Sequence, residues 1–308
     1  MIASLFSKTR PINYVLILIM LFSCFFLFQF QVPNEEFTSV DLFSKIGVFV
    51  LLLFSFFLVN FISLKNTLTQ NDNYAILLFL VFILLFPSVL NNIKIVLSNV
   101  FLLLALRRLI SLKTLNSSKE KIFDASFWIF LSAIFHFWSI LYIVLVFISI
   151  IFHSGKEFKN WILPFVSFLC VWILYIATSL ILFDNYSINK AVFQISFNFF
   201  EFKNVYQNMA LSIFVSISAL FFASQTIDYQ NKPLNMQSSY KQVYFAFLLA
   251  VGIYIFSANK SNDLLMYTFA PLAILGANMF EKMKNSIYKE VSLFLLLGVG
   301  LFFFFVQL

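Results

Sequence analysis

Glu35 and Glu36, with Asp41 shortly after, place three carboxylates in one polar stretch, Gln31-Val32-Pro33-Asn34-Glu35-Glu36-Phe37-Thr38-Ser39-Val40-Asp41, between two long apolar runs. Ionised oxygens at a membrane surface can act as a general base or ligate a divalent cation. Adjacent side chains diverge in extended and helical backbone alike, so only one of the two Glu residues can be central. A solvated acidic loop is the plainer reading of the same residues. Lys260, in Ser257-Ala258-Asn259-Lys260-Ser261-Asn262-Asp263, either pairs with a lipid phosphate or is an ordinary interfacial lysine. His136 is the ionisable side chain nearest a span interior, helix-end groups aside. It is either a hydrogen-bonded structural residue or a contact for an anionic head group or a proton. His153, beside Lys156, reads as a loop residue, and Cys24 and Cys170 lie in apolar runs with no disulfide or metal pattern.

The elements that must hold these groups are membrane spans. Of the 308 residues 62% are hydrophobic and 11% charged, against about 25% charged in soluble domains. So much apolar surface does not fit inside a globular core of this size. The expected fold class is all-α, a polytopic transmembrane helix bundle of about eleven spans forming a single integral membrane domain over residues 1–308. The 46 Phe residues partition into hydrocarbon as Leu does and need no special role. A net charge of +7, spread over short loops between apolar runs, is a topology signal, and no nucleic-acid partner is implied.

Lys8 and Arg10 precede an apolar run over 13–30 that is longer than the core of a secretory signal and lacks a small-residue cleavage site, so it reads as an uncleaved first span. Basic residues stay on the cytoplasmic side, which puts the N-terminus in the cytoplasm. Further spans are expected over 46–64, 74–90, 95–106, 161–183, 206–224, 242–257, 264–280 and 291–306, with the C-terminus extracytoplasmic. In this threading all 20 Lys and Arg residues except Lys45, Lys94, Lys190, Lys203 and Lys260 lie on the cytoplasmic side. The outer segment 184–204 mixes Phe193, Phe197, Phe199, Phe200 and Phe202 with polar residues, as in a stretch lying in the membrane interface.

Residues 122–152 decide the threading. Basic clusters bound them on both sides, Arg107, Arg108, Lys113, Lys119 and Lys121 before, Lys156 and Lys159 after. The segment therefore leaves the cytoplasm and returns, turning near 136–139. Each arm of about 15 residues spans roughly 22 Å, less than the roughly 30 Å hydrocarbon core, and is accommodated by burial among neighbours or local thinning. A single tilted helix is the alternative, and it would invert everything downstream.

The acidic first outer loop, the short hairpin between basic clusters, and Lys260 followed by Tyr267 and Ala270-Pro271-Leu272-Ala273 resemble the membrane region of GT-C glycosyltransferases. That resemblance implies an enzyme taking sugar from a polyprenyl-phosphate donor on the extracytoplasmic side. Glu35 or Glu36 would be its catalytic base or metal ligand, Lys260 a donor-phosphate contact, and a divalent metal its one cofactor. The opening Met1-Ile2-Ala3-Ser4-Leu5-Phe6-Ser7-Lys8-Thr9-Arg10-Pro11-Ile12-Asn13-Tyr14 is also similar to an uncharacterised family of integral membrane proteins from flavobacteria and relatives, which implies the bacterial inner membrane.

Three functions compete. Short loops and no complete catalytic constellation favour a non-catalytic subunit or scaffold of an inner-membrane complex for envelope biogenesis or export, with lipids and membrane proteins as partners and no cofactor. The GT-C resemblance favours a transferase. A transporter ranks third, because no charged residue falls near a span midplane, where ion-coupled carriers need one.

Overall fold

A computed structural model of the chain describes residues 2–31, 39–70, 72–155, 157–183, 194–197, 204–228, 232–258 and 260–308. The chain enters through a short helix α1 (Ile2–Phe6), followed by α2 (Pro11–Gln31), α3 (Ser39–Lys65), α4 (Tyr74–Leu85), α5 (Ile93–Ile110), α6 (Ser118–Phe135) and α7 (Ile143–His153). It continues as α8 (Phe158–Phe183), α9 (Val205–Asp228), α10 (Leu234–Phe256), α11 (Met266–Lys282) and α12 (Ser286–Gln307). No strand occurs among the described residues, where Ile195 and Ser257 form an isolated antiparallel bridge.

Eight of the helices are long and apolar enough to cross a membrane, the architecture of a membrane protein. The other three expected spans correspond to shorter or more polar helices: α4, and the two arms α6 and α7. Several boundaries move outward from their expected places. Asp41 lies in the first turn of α3, and Lys45 on its body, so neither is in the preceding loop. Much of the expected loop 225–241 is helical, the end of α9 and the start of α10.

The core is built around α4. Its twelve residues, Tyr-Ala-Ile-Leu-Leu-Phe-Leu-Val-Phe-Ile-Leu-Leu, are apolar on every side and all buried, as a helix without a polar face must be. It ends where Pro87 bars the helical conformation at Phe86 and withholds an N–H. α3, α11 and α12 pack around it. Phe82, Phe86, Phe214 and Phe269, from α4, its C-terminal end, α9 and α11, form one aromatic knot with centroids 5.3 to 5.9 Å apart, the range of favourable tilted and stacked pairs. Gly276 lets α11 approach closely, because a Cβ there would lie 2.5 Å from Phe221 and 2.8 Å from Leu78.

The loops gather at two ends. At the end carrying the N-terminal segment, called proximal below, the Tyr74 hydroxyl donates to the Ala3 carbonyl (2.7 Å), the Asn73 N–H to Phe6 (2.9 Å) and Lys113 Nζ to Asn66 (2.9 Å). At the distal end Gln29 Nε2 donates to Asn91 Oδ1 (3.0 Å), and Asn92 Nδ2 to Asp263 Oδ2 (3.1 Å). Asn92 also caps α5, accepting from the Ile95 N–H at 3.3 Å.

Residues 122–152 double back. On the outward arm Lys121 Nζ donates to Ser111 (2.9 Å) at the proximal end and Ser132 Oγ to the Ser98 carbonyl (2.9 Å) near the distal end. After a 3-10 turn over Phe137–Tyr142, α7 returns. Tyr142 donates to Ala246 (3.1 Å), Gln242 donates to Ser149 (3.1 Å), and Glu157 meets Lys119 at 3.6 Å.

Candidate functional site

Of the site residues expected from sequence, the distal end holds His136 and Lys260. Tyr267, in the first turn of α11, donates its hydroxyl to Ser98 Oγ at 2.9 Å, and Ser98 Oγ lies 2.7 Å from Ser132 Oγ. These three fully buried groups tie α5, α6 and α11 together. His136 caps α6 where the chain leaves the helix, and its ring lies 5.6 Å from the Tyr267 ring, tilted by 32°. The His136 Nε2 and the side chains of buried Ser139 and Asn262 have no hydrogen-bond partner among the described residues. Buried polar groups without a protein partner are normally paired with ordered water.

Lys260 is 5% exposed. Its ammonium donates to the backbone carbonyl of Ser257 at 3.1 Å and to that of Ser196. It therefore pins the 194–197 segment to the end of α10, beside the bridge between Ile195 and Ser257. Lys260 and His136 thus lie at the same end of the bundle. Glu35, Glu36 and most of the aromatic segment 184–204 lie outside the described residues. Among the described residues no group of His, Cys, Asp and Glu is arranged to hold a metal. Cys24 and Cys170 are both free thiols.

The proximal end holds a second cluster. Asp72 is 4% exposed and its carboxyl is hydrogen-bonded to that of Glu281, at the end of α11. Burial first, and then the Glu281 carboxylate beside it, hold Asp72 well above the usual carboxylate range. Burial raises Glu281 as well, so the two carboxyls share a proton. The other Glu281 contact is the Gln70 N–H at 2.7 Å, and the Tyr74 N–H approaches Asp72 Oδ1 at 3.3 Å. Lys232 reaches Tyr240 (2.9 Å) and Asn278 (2.8 Å), and Tyr240 donates to the Leu68 carbonyl (2.6 Å). The Lys289 ammonium lies 4.4 Å from the Tyr74 ring centroid. One shared proton leaves the carboxyl pair with a single negative charge between two lysines, so the network keeps one net positive charge.

A family profile described as a family of unknown function, DUF6427, matches residues 1–308. The chain belongs to the DUF6427 family. No curated protein and no solved structure matches it.

In this DUF6427 chain the sequence pointed to the distal end and missed the proximal one. Asp72 and Glu281 stand at the two ends of apolar runs, where an acid looks like an ordinary loop residue. The available signal was Asn278 preceding Glu281 by three, which puts an amide and a carboxylate on one face of α11. The pairing itself arises only when the loop before α4 folds over the end of α11.

Proposed function

We propose that this DUF6427 chain is a non-catalytic subunit or scaffold of an inner-membrane assembly that serves cell-envelope biogenesis or export. The contrast between two helices carries the reading. Of the eight long helices α11 is the most enclosed, 89% of its apolar stretch being buried, whereas that of α8 is 11% buried. α8 packs against α6 and α7, and leaves Phe165, Leu169, Ile173 and Ile181 more than half exposed. Lipid suffices to cover such a face, and so does a neighbouring span, since helix association in a bilayer depends on packing and not on apolarity. The space around α4, where a transporter would need a polar path, is filled by Phe79, Phe82, Phe86, Phe214 and Phe269.

The experiment is purification of the full-length chain from its native membrane in mild detergent. A stoichiometric membrane-protein companion is expected, released by Ile173→Trp and Leu169→Trp together. Recovery of the chain alone from native membranes ends the subunit reading.

A second reading, a GT-C-like transferase on a lipid-linked sugar, is favoured by the unpaired His136 Nε2, Ser139 hydroxyl and Asn262 amide at the distal end. In it Glu35 or Glu36 is the acid, and Lys260 and His136 face the donor phosphate. Glu35→Gln and Glu36→Gln, singly and together, then alter surface glycans. Unchanged glycans and growth in all three strains remove it.

A further inference from the structure

A cleft of about 520 Å³ opens at the proximal end between α1 and the start of α12. Lys284, Lys289 and Ser286 line one side and Ser4 and Ser7 the other. The acid in the cleft, Glu290, is already committed, accepting from the backbone N–H groups of Ile2 and Ala3. Lys289 faces the Asp72–Glu281 pair, which carries one charge, and that charge is shared with Lys232. Lys284 forms no ion pair among the described residues. The cleft thus presents a surplus of positive charge beside hydroxyl groups, where a phosphate oxygen gains charge-assisted hydrogen bonds. Its floor is apolar. Ile287 and Val291, also lining it, are 69% and 58% exposed. Four residues apart, they share one exposed face of α12 that runs on from the cleft.

We infer that this cleft binds the phosphate of an anionic phospholipid head group, with Lys284 and Lys289 as its cationic contacts, Ser286 as a hydroxyl contact and the acyl chains lying along Ile287 and Val291. Free phosphate offers the same oxygens but leaves the apolar floor uncovered, which is why a lipid is the fitting occupant. Basic pockets between spans at the membrane surface commonly hold such head groups. The site is independent of the subunit and transferase readings, because it uses none of their residues.

The test uses the full-length chain in dodecyl maltoside, titrated with dioleoylphosphatidylglycerol, dioleoylphosphatidylcholine or inorganic phosphate. Binding is read by native mass spectrometry and by the melting temperature. Phosphatidylglycerol should stay bound and raise the melting temperature, phosphatidylcholine should bind at least about fivefold more weakly, and phosphate should not protect at millimolar concentration. Lys284→Gln should weaken phosphatidylglycerol about fivefold, and Lys284→Gln with Lys289→Gln about 25-fold, one surface lysine contributing about a factor of five. Lys284 is exposed, so its single variant should melt at the parent temperature without lipid, and it carries the test if the double variant does not fold. Equal binding of the two lipids, equal protection by phosphate, or unchanged phosphatidylglycerol binding in Lys284→Gln would overturn the assignment.

Discussion

Asp72 and Glu281 pair their carboxyls, joining the loop before α4 to the last turn of α11 around a buried Asp72. This bond closes the proximal end over the central helix. Glu281 also receives the Gln70 N–H, so one side chain holds the loop at two points.

Asp72 makes stability depend on pH in a definite direction. Its pKa rises from 3.8 on folding, so over the interval up to the raised value the native state binds more protons than the unfolded one. Stability from this group is complete below pH 3.8 and is lost as pH rises through the folded value, with a limiting slope of about 1.4 kcal/mol per pH unit. Asp72→Asn retains a neutral donor toward Glu281 and an acceptor for the Tyr74 N–H, but nothing that titrates. Melting curves in detergent from pH 5 to pH 8.5 should show the variant gaining on the parent as pH rises. A constant difference across the series would mean that Asp72 is charged in the native state.

Two glycines predict opposite responses to alanine. At Gly276 a Cβ would meet Phe221 and Leu78 at 2.5 to 2.8 Å, and both are buried, with Phe221 held against Phe280 at 6.0 Å. Gly276→Ala should therefore cost about 1 to 3 kcal/mol. At Gly298 nothing lies within 4 Å, and alanine should be neutral or stabilising by up to about 1 kcal/mol. Comparing detergent melting of the two variants checks both signs, and a tolerated Gly276→Ala would mean that α11 and α9 are less closely packed than described.

Much of the architecture could be read from charge and apolar length. The basic clusters around residues 122–152 implied a hairpin, and the chain does turn back at His136, because Ser132 meets Ser98 on the way out and Ser149 meets Gln242 on the way back. The helix starts were less legible. Asp41 and Lys45 look like loop residues, but polar residues at a helix end can stay hydrated without ending the helix, and both lie on α3. Lys260 shows why the sites were harder. A lysine in a polar loop reads as exposed, and only the approach of the Ser196 and Ser257 carbonyls turns it into a buried clasp. The Asp72–Glu281 pair depends in the same way on distant segments, which no local spacing encodes.

Tyr267, Ser98 and Ser132 should behave as one unit. Tyr267→Phe removes a donor to Ser98 Oγ, and Ser132→Ala removes both the Oγ pair and the bond to the Ser98 carbonyl. Interhelical hydrogen bonds in membranes are worth about 0.6 kcal/mol on average, so Tyr267→Phe alone should cost about that much and Ser132→Ala alone about twice as much. Because both act on Ser98, the double variant should cost less than the sum. Strict additivity in the double-mutant cycle would show that the three hydroxyls do not communicate.

The hairpin makes the sharpest prediction, because its two ends meet. Lys119 and Glu157 lie 3.6 Å apart with side chains 54% and 58% exposed, a pair that contributes little stability but fixes a distance. In a chain with Cys24→Ala and Cys170→Ala, cysteines at positions 119 and 157 should be joined by a short bis-maleimide in native membranes. Under the threading expected from the basic clusters, both should be shielded from a membrane-impermeant maleimide on intact cells. A cysteine replacing Asn91, at the distal end, should react. Labelling of 119 and 157 from opposite faces would mean that residues 122–152 cross once, and every loop after them would change sides. Labelling of both from outside would keep the hairpin and invert the whole chain.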